Sequence, residues 1–473
     1  MKKFIKSLNL RLSDLLLFIG FIPFAIFLVF GQLFMQYTDP LEVALPLWAA
    51  IICFVIALGT WVYYLILEFK RGNNPKLVVS CLFLFLTLLN VIAIAVQPNV
   101  VSEDVTVRMV NELNTGLYPG IDVGSIVHID VPISVTHKLF FIMDVILIGM
   151  FIYIGLFIFP KRFTGILFVK YLGYVVMVFV LSVIFVGYFM EYDLYVPFIK
   201  TLLGKIDADP SVYAVKSYIL HRNAYGMVMM IGIIFAFINH SIEKKWYYYL
   251  LVAFFFINMI FSYCKTGLII SVLMIAFYVI YRLIVTYKEN KKRNTVLFIF
   301  IGSLAIIAIG VVGISLLTKG QVLGFIYKLL KGAKDNGTMD MRSYIWDNSY
   351  QLLRNDWWLI GRGFGIYNVI LLPMNTVNGD AVFPAHSAYV GLISEGGILF
   401  LIGYIALLVY FAYVVYKCSK QNLGLTISLT FGAVAFILYS TTEAIQYLVY
   451  VFMFPVMVLY HSSKKSETQK EAA

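Results

Sequence analysis

The residue types able to do chemistry gather between Thr338 and Ile398, a polar stretch inside an otherwise apolar chain. Arg342 opens an amphipathic run, a glycine cluster (Gly361-Arg362-Gly363-Phe364-Gly365) follows, and His386 precedes the next apolar run. A histidine there titrates near neutral pH and can accept a proton from a hydroxyl. An arginine in the first turn of a helix adds its charge to the positive end of the helix dipole, and a phosphate can bind there. Plainer readings stand beside these: a water-facing arginine and an interfacial histidine with no role. The three glycines permit a tight backbone approach but match neither the Walker nor the Rossmann fingerprint.

Two further cations head apolar runs: Arg222, in His221-Arg222-Asn223, and Lys265, in Cys264-Lys265-Thr266-Gly267. At one depth with Arg342 they could hold a lipid diphosphate through charge-assisted hydrogen bonds. Singly, such side chains more often snorkel to the interface. Glu395 and Asp144 are carboxylates inside apolar runs, a costly placement that makes each a functional candidate, with a structural hydrogen bond as the rival reading. Glu395 lies about 13 Å along a helix from His386 and on roughly the opposite face. The two form no dyad unless Gly396-Gly397 distorts that helix. Asp207 and Asp209 imitate a metal-binding DxD pair, but with Pro210 next to Asp209 they read first as a turn.

The elements that must position these residues are membrane helices. The 473 residues are 61% hydrophobic and 13% charged, where a soluble chain is nearer half apolar and a quarter charged. Runs of about 20 apolar residues each suffice to span a bilayer. The pattern gives about twelve spans, at 15–35, 44–67, 77–97, 139–159, 165–190, 223–239, 246–262, 266–286, 296–318, 387–416, 423–441 and 444–461. With the N-terminus in the cytoplasm, every short inside segment is rich in Lys and Arg, as the positive-inside rule requires. The net charge of +11 is then a topology signal with some attraction to anionic lipid, not a nucleic-acid footprint. Lys2, Lys3, Lys6 and Arg11 lead into an apolar run without a small-residue cleavage site, so the first helix reads as a retained anchor. Cys53, Cys81, Cys264 and Cys418 have neither metal-ligand spacing nor the density of a disulfide framework.

The expected organisation is nine spans over 1–318, a large extracytoplasmic loop at 319–385, three spans over 386–461, and a disordered cytoplasmic tail at 462–473. Shorter extracytoplasmic loops fall at 98–138, where VHIDVPISVTH suggests short strands, and at 191–222. Within the large loop, Gly320 to Lys334 has the spacing of an interfacial helix. A second helix, capped by Thr338 or Asp340, runs to about Arg354. The stretch after the glycine cluster reads as loop as far as His386.

At these residues the chain resembles the O-antigen ligase and polysaccharide polymerase superfamily (Wzy/WaaL-like). The likeness lies in Arg342 at a helix start, in Trp358 through Gly365, in His386-Ser387-Ala388-Tyr389 and in Glu395-Gly396-Gly397. Cys264-Lys265-Thr266-Gly267 and the helix start at Asn223 add to it. Lys265 departs from the family's usual arginine, keeping the charge but losing the bidentate fork.

The resemblance implies a GT-C-like membrane fold and metal-independent glycosyl transfer, without a cofactor, from an undecaprenyl-diphosphate-linked oligosaccharide. It implies His386 as the base, and Arg342 and Lys265 as cations for the leaving diphosphate. Arg222, Asn223, Glu395 and Arg362 complete the expected substrate-binding set. The expected reaction is polymerisation of repeat units at the outer face of a bacterial cytoplasmic membrane, with a flippase and a chain-length regulator as pathway partners. Lysine-rich loops suit a low-GC Gram-positive bacterium, hence capsule or exopolysaccharide synthesis. The rivals are ligation of finished glycan to another acceptor and flipping of the same lipids. Flipping is disfavoured because the polar groups gather at one face rather than at the midplane of paired halves.

Overall fold

The computed structural model describes residues 13–32, 46–289, 338–379, 387–419, 423–441, 443 and 449–471, excepting 74, 76, 164, 207, 209, 220, 355 and 356. The expected span at 296–318, the interfacial helix at 320–334, and Asp207, Asp209 and His386 lie outside those residues. Two compact units form.

The first unit comprises residues 1–165, 340–418 and 440–473. It begins with α1 (Asp14–Gln32), α2 (Leu47–Lys70) and α3 (Leu77–Ala95). A hairpin follows, β1 (Val100–Thr106) against β2 (Ile126–Pro132), with α4 (Glu112–Leu117) in its connection. Then come α5 (Val135–Tyr153), α11 (Thr338–Gln351), α12 (Ile366–Val377), α13 (Ala388–Ser419) and α15 (Val449–Glu471). The second unit holds α6 (Gly165–Met190), α7 (Tyr195–Leu202), α8 (Arg222–Glu243), α9 (Tyr247–Phe261), α10 (Lys265–Glu289) and α14 (Leu423–Tyr439).

The chain is a largely helical polytopic membrane protein. Seven described helices are long and apolar enough to cross a bilayer: Leu47–Lys70, Leu77–Ala95, Val135–Arg162, Gly165–Met190, Arg222–Glu243, Lys265–Arg282 and Ala388–Ser419. The windows expected at 15–35, 246–262, 423–441 and 444–461 fall on shorter apolar helices. Two expectations are corrected. The stretch after the glycine cluster is not loop throughout, because α12 occupies Ile366–Val377. It buries Ile366, Tyr367, Val369, Ile370, Leu371, Met374 and Val377, and that burial outweighs the internal Pro373. As far as Glu471 the tail is not irregular: α15 runs on through that residue, its Lys-, Glu- and Gln-rich end consisting of good helix formers.

The strands expected near residue 128 are present, paired antiparallel from Val100↔Pro132 to Thr106↔Ile126. Their alternation puts Val101 and Val105 on the buried face with Ile129 and Val131. That face is continuous with the membrane helices. One apolar cluster runs from Phe24, Phe27 and Trp61 through Phe140 and Phe141 into the hairpin, and on to Ile345, Leu352 and the buried side of α12. Phe27 stacks on Phe140 with centroids 4.6 Å apart. Hairpin, α4, α11 and α12 thus form a polar cap fused to the helices beneath it by a shared core.

The far end of α5 from the hairpin carries a buried ionic group. Arg162, at the end of a 3-10 turn after Pro160, meets Asp14 at 3.2 Å and also Glu68. Glu68 accepts from Arg71 at 2.8 Å and from Asn73 at 2.7 Å. Asp14, Glu68 and Arg162 are each at most 3% exposed. Breaking one partner of such a pair leaves a buried charge uncompensated. Arg162→Ala is therefore expected to destabilise the protein by about 3–5 kcal/mol, read as a lowered thermal midpoint in detergent. Arg71→Ala, which removes a half-exposed partner, is expected to shift the midpoint far less.

Candidate functional site

α13 is the longest described helix and is not continuous. At Gly397 the backbone takes φ 67°, ψ −172°, a region open in practice only to glycine. The regular ladder would pair Ser394 O with Ile398 N and Glu395 O with Leu399 N. The glycine loop takes all four groups instead. Arg362 N donates to Ser394 O at 2.8 Å and Gly363 N to Glu395 O at 2.7 Å. Ile398 N donates to Trp358 O at 2.9 Å and Leu399 N to Leu359 O at 3.4 Å. By helical rise the break lies roughly 9–16 Å from the start of α13, a depth at which irregular backbone is tolerated only when protein satisfies it.

The tight approach expected of the glycines is thus an approach to α13. A Cβ on Gly361, whose φ is +70°, would stand 2.6 Å from the carbonyl carbon of Glu395. One on Gly397 would overlap the Leu359 carbonyl. Phe364 N donates to Asn90 Oδ1 on α3 at 3.2 Å, tying the far side of the loop to a third helix.

Arg362 does not reach outward. Its Nε donates to Leu352 O, just past the end of α11, at 2.7 Å. Its Nη2 pairs with Glu103 of β1 at 3.2 Å, and its guanidinium lies 4.6 Å from the Trp357 ring centroid. The side chain is 7% exposed. Burial pushes the guanidinium pKa down from its ordinary value and Glu103 opposes the shift. The expected substrate-binding residue Arg362 thus has its Nε, its Nη2 and one face of its guanidinium turned to the protein interior. The sequence reading passed over Glu103. Its signal was an acid at an inward position of an alternating strand, between Val101 and Val105, where a carboxylate needs a cation.

The other candidates fall into two groups. In the first unit, Arg342 lies one turn in from Thr338 on α11, close to the expected helix start. α13 begins at Ala388, two residues after His386, with Ala388 N donating to Ser440 O at 2.8 Å. Glu395 precedes the break and is 6% exposed, its Oε2 without a hydrogen-bond partner among the described residues. Because the distortion comes after it, the regular segment from Ala388 gives no turn that would bring Glu395 back towards the start of α13. Its electrostatic neighbour is Asp144 on α5, so the two carboxylates singled out inside apolar runs belong to one place. Beside them Phe83, Thr87, Asn90, Leu392, Tyr404 and Tyr450 help line a largely apolar cavity.

In the second unit, Arg222 and Asn223 open α8, and Lys265 opens α10 after the short turn expected there. Tyr263 makes that turn in the left-handed region, φ 51°. Lys265 Nζ lies 4.7 Å from the Tyr263 ring centroid. Tyr439 of α14, absent from the sequence reading, donates to Asn223 O at 3.1 Å and meets Cys264 Sγ at 2.9 Å. It holds the two helix starts together. Gly226, facing Cys264, leaves room for that approach. Among the described residues, no three His, Cys, Asp or Glu side chains converge as a metal site.

A polytopic membrane protein in which a loop replaces part of a transmembrane helix ladder, beneath a fused polar cap, is built to keep polar groups at membrane depth. The family model described as O-Antigen ligase matches residues 249–405. The match contains Lys265, Arg342, the glycine loop, His386 and Glu395, and it supports the likeness to the O-antigen ligase/Wzy superfamily. No curated protein matches the chain.

The swapped ladder yields a paired expectation. Gly397→Ala should destabilise the protein by at least about 2 kcal/mol from backbone strain alone and speed hydrogen exchange in residues 358–363. Gly391→Ala meets nothing within 4 Å in the regular part of the same helix and should be neutral or stabilising.

Proposed function

We propose that the protein is a glycosyltransferase of the GT-C type that polymerises polyprenyl-diphosphate-linked oligosaccharide repeat units at the outer face of a bacterial cytoplasmic membrane, its N- and C-termini cytoplasmic. The observation that carries this reading is the seating of the glycine loop. Through Arg362 it bonds both the end of α11, which carries Arg342, and α13, which His386 precedes. The likeness to that superfamily supplies the reaction class, and the apolar cavity beneath the loop suits a protein that handles lipid-linked glycans.

In the proposed reaction, His386 takes the proton from a sugar hydroxyl of the acceptor. That oxygen attacks the anomeric carbon of the donor, the bond from that carbon to the diphosphate oxygen breaks, and the lipid diphosphate leaves with the electron pair. Arg342 and Lys265 offset the developing negative charge, with Arg222 and Asn223 beside Lys265. Fixed donors aimed at developing charge are usually the largest single contribution to catalysis, and a cation cluster provides it without a divalent metal. Undecaprenyl diphosphate is the carrier this chemistry fits, and capsule or exopolysaccharide the product.

A second reading, transfer of finished glycan to a different acceptor, is favoured by the description of the matching family. The two separate in cells: loss of a ligase leaves long polymer on its lipid carrier, whereas loss of a polymerase leaves single units.

Purified protein in nanodiscs, given a defined lipid-linked repeat unit and EDTA, should produce a ladder of products. His386→Ala should lower the rate by about 10²–10⁴-fold and Arg342→Ala by about 10²–10³-fold, while Lys265→Arg retains activity. A His386→Ala protein giving chains of normal length and rate would overturn the assignment.

A further inference from the structure

The first polar segment of the chain, residues 98–134, has no part in the reaction proposed above, yet the hairpin is bonded to the cap at several points. Gln351 Nε2 of α11 donates to Asp104 O at 2.8 Å and to Glu103 Oε2 at 3.3 Å. Arg108 N donates to Asn378 Oδ1 at 2.6 Å. Asn114 Nδ2 donates to Val377 O at 2.9 Å and Asn111 Nδ2 to Gly379 O at 2.8 Å. Arg108 also pairs with Asp347 of α11 at 2.5 Å, with both side chains about half exposed.

The Glu103–Arg362 pair differs from these in what it controls. Arg362 is the one residue among these contacts whose atoms join three elements. Its Nη2 meets Glu103 of the hairpin, its Nε meets Leu352 O at the end of α11, and its backbone N meets Ser394 O at the break in α13. Glu103 is 15% exposed on its side chain and Arg362 7%, so the pair is poorly screened by water. The exposed Arg108–Asp347 pair is worth little by comparison.

We propose that Glu103 is a positioning residue for glycosyl transfer: by fixing the Arg362 guanidinium it sets the separation of the Arg342 helix from the helix that follows His386. Glu103 touches neither substrate nor reacting atoms. It acts through Arg362, and without its charge the buried guanidinium is left without the counter-ion that fixes it. The proposal rests on the reading of Arg342 and His386 given above, and its test separates the two.

Glu103→Gln keeps the shape and removes the charge. Rates are normalised to monodisperse protein, at a temperature below the thermal midpoint of every variant. Glu103→Gln is expected to lower kcat at least tenfold while KM for the lipid-linked donor stays within twofold. Arg108→Ala, which breaks the exposed pair on the same hairpin, is expected to leave both unchanged. Glu103→Asp should recover part of the lost kcat, because the charge returns at a longer reach. Independently of activity, spin labels at Tyr350 on α11 and Ile405 on α13, in a background without accessible native cysteines, should give a narrow distance distribution that broadens in Glu103→Gln and stays narrow in Arg108→Ala.

Unchanged kcat in Glu103→Gln, an equal loss in Arg108→Ala, or an unbroadened distribution would overturn the proposal. Wild-type protein without transfer activity would instead sink the proposed function, and the distance measurement would still decide whether Glu103 sets the helix separation.

Discussion

Backbone N–H and C=O groups at membrane depth must be satisfied by protein, and the break in α13 is where this constraint bears hardest on the structure. A helix that stops and restarts frees two carbonyls on one side and two amides on the other. Here those four groups belong to Ser394, Glu395, Ile398 and Leu399, and residues 358–363 supply the complement. The exchange is one for one, so the break costs no hydrogen bonds. It does require backbone-to-backbone contact, which is why the loop is rich in glycine and why Gly397 sits in a conformation that other residues avoid.

Once the loop is docked there, its neighbours are constrained in turn. Arg362 comes to lie buried between α11 and β1, where a cation needs an anion and finds Glu103. Phe364 is drawn to Asn90 on α3. α12, starting directly after the loop, packs its apolar side into the core shared by the hairpin and α5. The polar cap is therefore held by the same apolar cluster that packs the helices, and local changes in the loop act on several elements together. The second unit uses a different device for a similar end. A hydroxyl, a thiol and a backbone carbonyl (Tyr439, Cys264 and Asn223) join the starts of α8 and α10, which bear Arg222 and Lys265.

The α5 region of the first unit also answers to electrostatics in apolar surroundings, at its far end and at its middle. Arg162 is matched by Asp14 and Glu68 rather than left to reach water. Asp144 and Glu395, on α5 and α13, are placed close enough for each to feel the other's charge. Acids in apolar segments read individually as functional candidates. In the fold the two so read, Asp144 and Glu395, belong to one buried group beside an apolar cavity, separate from the acids that Arg162 balances.

The sequence by itself determined whatever depends on residues near one another along the chain. Apolar runs located most helices because span length is a local property, and the stretch near residue 128 suggested short strands. Turn chemistry gave the short connection before Lys265 and the start of the Arg342 helix. It also marked the glycine loop as a site of close approach, but not what approaches it. The tertiary structure decided that partner, the contacts of Arg362, the adjacency of Asp144 to Glu395, the part played by Tyr439, and the helical state of residues 366–377. Each of these rests on contacts between distant stretches, as when Glu103 meets Arg362 across 259 positions. Burial against such distant partners overrides local pattern: it lets α12 form despite Pro373 and turns the Arg362 side chain inward to Glu103 and Leu352.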